Sequence, residues 1–259
     1  MEVYHICRIA VAPLRKEPSD RSEIVSQLLF GDRVKVLEKT EKWCFVSNLF
    51  DGYEGWMDYK QLEKISEQQF QDHQSYIYLA PAQFSNIVIG PNQTPYYLSP
   101  GSILPYYNNG ICILGEKKFE VNFMPVIPNA SDFDAEVESV AKFFENSPYL
   151  WGGRTLFGID CSGFAQTVYK LTGIDIRRDA SQQAEQGELV DFLASARTGD
   201  LAFFDNEEGK IIHVGIMLGN DKIIHAAGFV KIDPIDDQGI FNQELNNYTH
   251  KLRIIKRFS

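Results

Sequence analysis

Hydrophobic positions along the chain change their period near residue 130. Before that point RVKVL (33–37) and WCFVSN (43–48) are short runs rich in β-branched and aromatic residues. Turn signals at Gly31-Asp32 and Asp51-Gly52 bound them, as expected of strands. GYEGWMDYKQL (52–62) continues the pattern, and the size fits a small barrel. From 76 to 125, TPYYLSPGSILPYY, ICIL and KKFEVNF are candidate strands whose Pro and Gly content favours edges and tight turns. The polar stretch QLEKISEQQFQDHQ between the two regions reads as a linker or a short helix.

After residue 130 the pattern becomes helical. In AEVESVAKFFENS (135–147), Val137, Val140, Ala141 and Phe144 fall at i, i+3, i+4 and i+7, with Asp132 or Asp134 as N-cap and Pro148 as terminator. A second helix is expected from Cys161 to Leu171, with Phe164, Val168 and Leu171 on one side and Gly173 closing it. DLAFFD (200–205), IIHVGIML (211–218), KIIHAAG (222–228) and KLRIIKRF (251–258) then read as strands. Helices followed by an antiparallel sheet make an α+β domain. The expected domains are 1–65, 76–127 and 130–259.

Chemistry concentrates in the last of these. YLWGGRTLFGIDCSGF (149–164) is a glycine-rich loop that delivers Cys161 to a helix start. Unpaired N–H groups and the positive end of the macrodipole favour a thiolate there, and the same N–H groups can hold an oxyanion. Small Ser162 and Gly163 leave room for substrate. The thiol needs a basic partner. His213 lies in IIHVGIML, where Ile212, Val214, Ile216 and Leu218 alternate as the buried face and His213 shares the other with Gly215. A three-residue loop at Gly219-Asn220-Asp221 pairs Gly215 with His225 and makes the two histidines diagonal neighbours; a two-residue loop puts them on opposite faces. Cys161 is thus the candidate nucleophile, His213 its base and His225 the residue that orients the base. His5, His73 and His250 read as ordinary surface or packing residues. Zinc held by one cysteine and two histidines is the weaker reading, because a positive helix start repels a cation and no H-E-x-x-H helix is present. No metal or cofactor is expected.

Cys7, Cys44 and Cys112 sit among apolar neighbours and read as buried small hydrophobes. The chain has 259 residues, 44% of them hydrophobic, 13% aromatic and 23% charged, which is the profile of packed domains. A formal charge of −10 argues against nucleic acid or anionic lipid as partner, and no apolar run is long enough to span a bilayer. The first residues, MEVYHICRIAVAPLRKE, lack the basic start and long apolar segment of a secretory signal. A cytoplasmic location is therefore expected, or a secreted one if a targeting segment was removed upstream.

YLWGG, GIDCSGF, RDASQQ, TGDLAFF, HVGIML and IIHAAG, in that order, make residues 130–259 resemble the NlpC-type branch of papain-like cysteine peptidases. Residues 1–63 resemble a bacterial SH3-like barrel and 76–125 a divergent second one. The arrangement is similar to γ-D-glutamyl-L-diamino acid endopeptidases that process murein peptides. The resemblance implies a papain-like C-terminal domain, with helices on an antiparallel sheet, preceded by two small all-β barrels. It implies that Cys161 attacks the γ-carbonyl of D-glutamate, that His213 and His225 serve it, and that Tyr149 supports the oxyanion. It places Asp160 against the ammonium of a free N-terminal L-Ala, Ser162 beside the substrate, Tyr53 at the end of the groove and Trp151 as an apolar wall. Glu23 or Val25 occupies a further barrel position. Asp160 also serves as a helix N-cap in this reading, while Trp56, and in the alternative Tyr53 and Trp151, are packing residues. Ala180 stands where some relatives carry a binding serine, with Ser181 beside it. A barrel that closes one end of the groove limits the substrate to L-Ala-γ-D-Glu-diamino acid fragments. An acyltransferase using the same three residues and a non-catalytic wall-peptide-binding module are the competing functions.

Overall fold

The structure is a computed structural model that describes residues 3–258. The chain divides into two compact units, Met1–Pro128 and Asn129–Ser259.

In the first unit, β1 (Val3–Cys7), β2 (Val11–Arg15), β3 (Ile24–Leu29), β4 (Arg33–Lys39), β5 (Trp43–Asn48), β6 (Glu54–Asp58) and β7 (Leu62–Ile65) form one antiparallel sheet in the order β3-β2-β6-β5-β4-β1-β7. Alternation puts Ala12, Leu14, Val46 and Met57 on its inner side, together with Cys7 and Cys44. Trp56 and Tyr53 are half-buried; Tyr53 packs against this core, and Trp56 against Phe45, with ring centroids 5.3 Å apart. The polar stretch that follows contains a helix, α1 (Glu67–Gln71), started by a reciprocal capping box of Ser66 and Gln69. Arg33 holds its far end by donating to the carbonyls of Gln69, Phe70 and Asp72. The segment is therefore anchored, not a loose connector.

The rest of this unit is a four-stranded sheet, β10-β11-β8-β9, made of β8 (Ile87–Gly90), β9 (Thr94–Tyr97), β10 (Ile111–Leu114) and β11 (Lys117–Val121). TPYYLSPGSILPYY contributes only its first four residues as strand, since the Pro and Gly that follow make turns. The sequence pattern missed IVIG at β8: Ser85-Asn86 and Gly90-Pro91-Asn92 bound it as turn residues, but four residues are too short to show a period.

The second unit opens with α2 (Phe133–Phe143), which buries Phe133, Val137 and Ala141. It ends well before Pro148, in tight i→i+3 turns that run to Asn146, whose φ is 68°. Asp132 occupies the N-cap position, yet its carboxylate accepts from Asn129 and makes no cap bond. A two-stranded hairpin, β12 (Arg154–Thr155) and β13 (Gly158–Ile159), leads into α3 (Cys161–Leu171). Then come α4 (Ala180–Gln183), β14 (Glu188–Val190), β15 (Leu201–Asp205), β16 (Ile211–Met217), β17 (Lys222–Ala227), β18 (Phe229–Asp236), β19 (Gly239–Asn242) and β20 (Asn247–Arg257).

The sheet runs β14-β20-β15-β16-β17-β18-β19, and β19 pairs back onto β20. Six antiparallel strands thus close into a ring and only β14 lies outside it, which removes the free edges an open sheet would expose. Ala202, Phe204, Met217, Ile223, Ile235, Ile240 and Ile255 form a core cluster of this sheet. Its other side, including Val214 and Ile216, is buried too, and α3 packs on β16 and β17. The alternation expected along β16 is consequently absent: His213 through Met217 are all buried, whereas Ile212 is exposed.

Candidate active site

The loop before α3 packs closely enough to exclude a side chain at Gly153 and Gly163. A Cβ on Gly163 would lie 2.2 Å from the Gly153 carbonyl oxygen, and one on Gly153 would lie 2.3 Å from that of Gly158. The smallness of Gly163 therefore makes room for the chain itself, not for substrate. Asp160 caps α3 by accepting from the Gly163 N–H at 2.7 Å, and its other oxygen accepts from the Gly152 N–H at 2.8 Å. Arg178, buried beside it, donates to the two oxygens at 3.0 and 2.7 Å. The lone-pair sites of a carboxylate, about four in number, are thus occupied. A substrate ammonium would have to displace one of these donors, and in this state Asp160 is a cap and ion-pair partner. Ser162 is similarly engaged, its hydroxyl accepting from Arg178 at 2.8 Å. RDASQQ contains Arg178, but a buried guanidinium carries no sequence signal apart from its motif.

Cys161 stands at the first turn of α3, 7% exposed. Burial, then the neighbouring Asp160, pushes its thiol up to about 12, against the opposing pull of the Val214 and Ser162 backbones and Arg178. Burial thus works against the preference for a thiolate that the helix start provides. The contact with the Val214 backbone brings the sulfur to the residue after His213.

The loop between β16 and β17 is the three-residue alternative, closed by a Leu218 N–H bond to the Lys222 carbonyl at 2.8 Å. The ladder pairs Ile216 with Ile224 and Met217 with Ile223, so one step further Gly215 faces His225. A Cβ on Gly215 would meet Ile223 at 2.6 Å and the His225 Cβ at 2.9 Å. The two imidazoles consequently share a face and touch: His213 Nε2 lies 2.9 Å from His225 Nδ1, with the rings near perpendicular at 83°. His225 Nε2 lies 3.1 Å from Asp233 Oδ2. Burial, then the charges of His225 and His250, holds His213 well below its usual range; burial also lowers His225, against the pull of Asp233.

His250, read from the sequence as an ordinary residue, lies flat on His213 with centroids 4.1 Å apart and an interplanar angle of 27°. Its position in β20, next in the ring to β15, could not be read from KLRIIKRF because that pairing is long-range. His5 is half-buried and His73 exposed, each in the first unit. His213, His225 and His250 offer nitrogens within 4.8 Å of one another, the set among the described residues that could hold a metal; Cys161 is not part of it. The 2.9 Å between His213 and His225 is a hydrogen-bond distance, shorter than the roughly 3.3 Å separating two nitrogens on a tetrahedral zinc.

Burial, then the charges of Cys161 and Asp160, pushes the Tyr149 phenol up to about 12, so the protonated form is favoured within electrostatic reach of Cys161. Trp151 is 60% exposed and Ser181 is exposed on α4, next to buried Ala180. Glu23 and Tyr53 belong to the first unit, where Glu23 pairs with Lys16 at 3.6 Å and Val25 packs on the core.

Comparison with known proteins agrees with this architecture. Residues 146–249 match the NlpC/P60 family and residues 14–62 the bacterial dipeptidyl-peptidase SH3 domain. The gamma-D-glutamyl-L-lysine dipeptidyl-peptidase of Bacillus subtilis (strain 168) is 34% identical over 218 residues, spanning 78% of this chain and 72% of that protein. The Bacillus cereus protein of the same name is 28% identical over 87% of this chain and 74% of its own length. The crystal structure of an NlpC/P60 family protein from Bacillus cereus ATCC 10987 has the same fold, with a TM-score of 0.80 at 23% identity over 98% of this chain and 99% of that one. With a helix-start cysteine in contact with the strand that carries His213, and these relatives along most of its length, the chain belongs to the NlpC/P60 family of cysteine peptidases, here preceded by an SH3-like region.

Proposed function

We propose that the chain hydrolyses the γ-D-glutamyl–diamino acid bond of murein peptides that begin with a free L-Ala, releasing the dipeptide L-Ala-γ-D-Glu. The observation that carries this reading is the line of contacts from His213 through His225 to Asp233, behind a cysteine at a helix start. The names of the two Bacillus relatives support the substrate class. The proton rests on the Cys161 sulfur until substrate arrives, since both partners are neutral when free. His213 Nδ1 takes that proton as the sulfur bonds to the γ-carbonyl carbon, and the displaced electron pair moves to oxygen. Donors at the helix start and the Tyr149 hydroxyl hold the oxyanion. When the C–N bond breaks, His213 returns the proton to the leaving amine. Water, losing a proton to His213, then displaces the sulfur, which leaves as a thiolate and takes that proton from His213, and the dipeptide is freed.

Recognition roles for Tyr53, Glu23, Trp151, Ser162 and Ser181 are carried by the resemblance alone. So is a place in the recycling of wall fragments in the cytoplasm. The test is incubation of L-Ala-γ-D-Glu-L-Lys, its diaminopimelate counterpart and their N-acetylated forms with wild type and Cys161→Ala. Dipeptide release from the free forms by wild type alone, insensitive to chelator and abolished by a thiol alkylator, is expected. Equal turnover of acetylated peptides defeats the free-amine requirement, and transfer of the dipeptide to an added amine in place of water moves the protein to the acyltransferases.

A further inference from the structure

The line of contacts does not stop at His225. On β18 His225 pairs with Lys231, and Asp233, two residues along, is its diagonal neighbour on the same face. Asp233 is 8% exposed, and its Oδ2 receives both His225 Nε2 and Lys231 Nζ at 3.1 Å. Burial raises its pKa, but the bonds from His225 and Lys231 outweigh that and hold it below the usual carboxylate range.

An ionised carboxylate only accepts, and a neutral imidazole has one donor nitrogen and one acceptor. Asp233 therefore requires the proton of His225 on Nε2. His225 Nδ1 is then an acceptor, so His213 must donate from Nε2. That leaves the lone pair of His213 on Nδ1, the nitrogen a base needs. Each step follows from a single end condition. We propose that Asp233 is a positioning residue which, through His225, fixes the tautomers of both histidines so that His213 presents an unprotonated Nδ1 to Cys161. The inference rests on His213 as the base. Without the carboxylate the His225 ring can hold its proton on either nitrogen, and the tautomer that donates from Nδ1 moves the proton of His213 onto the catalytic nitrogen. The charged and titratable groups facing His225 are His213 from β16, Lys231 and Asp233 from β18 and His250 from β20.

Two variants of the full chain separate position from charge. Asp233→Asn keeps an acceptor oxygen for both His225 and Lys231, whereas Asp233→Leu has none. Imidazole 15N shifts at pH 8 in wild type are expected to show both His213 and His225 protonated on Nε2. Asp233→Asn should keep that pattern, and Asp233→Leu should give mixed tautomers. In step with this, kcat of Asp233→Leu should fall about 10–100-fold, as when the carboxylate partner of a metal-bound histidine is removed, with KM unchanged and most of the loss absent from Asp233→Asn. Wild-type tautomers in Asp233→Leu, or an undiminished kcat, overturn the proposal. The 15N readout needs no substrate, so a wild type that fails to cleave the murein peptide defeats the proposed function and leaves this test standing.

Discussion

At the scale of the residue, the resting state of Cys161 decides how the enzyme meets thiol reagents. With the thiol raised by burial and His213 lowered by it, burial favours the neutral thiol and imidazole over a thiolate–imidazolium pair in the free enzyme. Alkylation by iodoacetamide is expected to climb steadily between pH 6 and 9; a fast plateau from acid to neutral pH would reveal a preformed ion pair. Arg178 is the second telling residue. Its removal leaves the Asp160 carboxylate buried without its cation, a loss of about 3–5 kcal/mol for a broken buried pair. Arg178→Ala should therefore lower the urea midpoint of the second unit and slow catalysis together. Retained stability would show that Asp160 finds another partner. The sequence made Cys161, His213 and His225 legible because helix starts and strand alternation are local. Arg178, Asp233 and His250 were not, since each acquires its role only through partners brought up by the fold.

At the scale of the element, the hairpin β16–β17 sets the distance between the two rings, and Gly215 is its tightest point. The tip of Ile223 can turn away from an added methyl, but the His225 Cβ can move only with its strand. Gly215→Ala is expected to cost about 1–3 kcal/mol by overpacking and to reduce kcat by shifting His225, checked by thermal unfolding and turnover. Wild-type kcat in a destabilised variant would mean the strand yields elsewhere. Helix α3 and strands β15, β16, β17 and β20 could be read within a few residues from period alone. β18 and β19 could not: FVKIDPID carries a proline and charges, and GIFN is too short for a pattern. They become strands because closing the ring pairs them.

At the scale of the whole molecule, three imidazoles enclosed in one unit couple folding to acidity. All of them titrate below the ordinary value of 6.5, His250 at about 4 with burial as the main cause. The unfolded chain therefore binds protons that the folded one refuses, and stability falls as pH drops below 6.5 toward 4. Thermal scans across that window should show the second unit losing its midpoint steadily, with a shallower slope in His250→Phe. A midpoint independent of pH would contradict the burial of these rings. The two units also differ in how far their sequences announced them: compact alternating strands marked the first barrel, while Pro and Gly obscured the four-stranded sheet after it.

Every one of the eleven residues of α3 is buried, polar Gln166, Thr167 and Lys170 among them. Such a spindle, gripped along its whole length, has no slack to tilt or fray, so the attacking atom is delivered from a fixed bearing. New peptide preferences can be engineered only around it, on adjustable rims such as the hairpin tip at Phe157, which is 87% open to water four residues ahead of the sulfur.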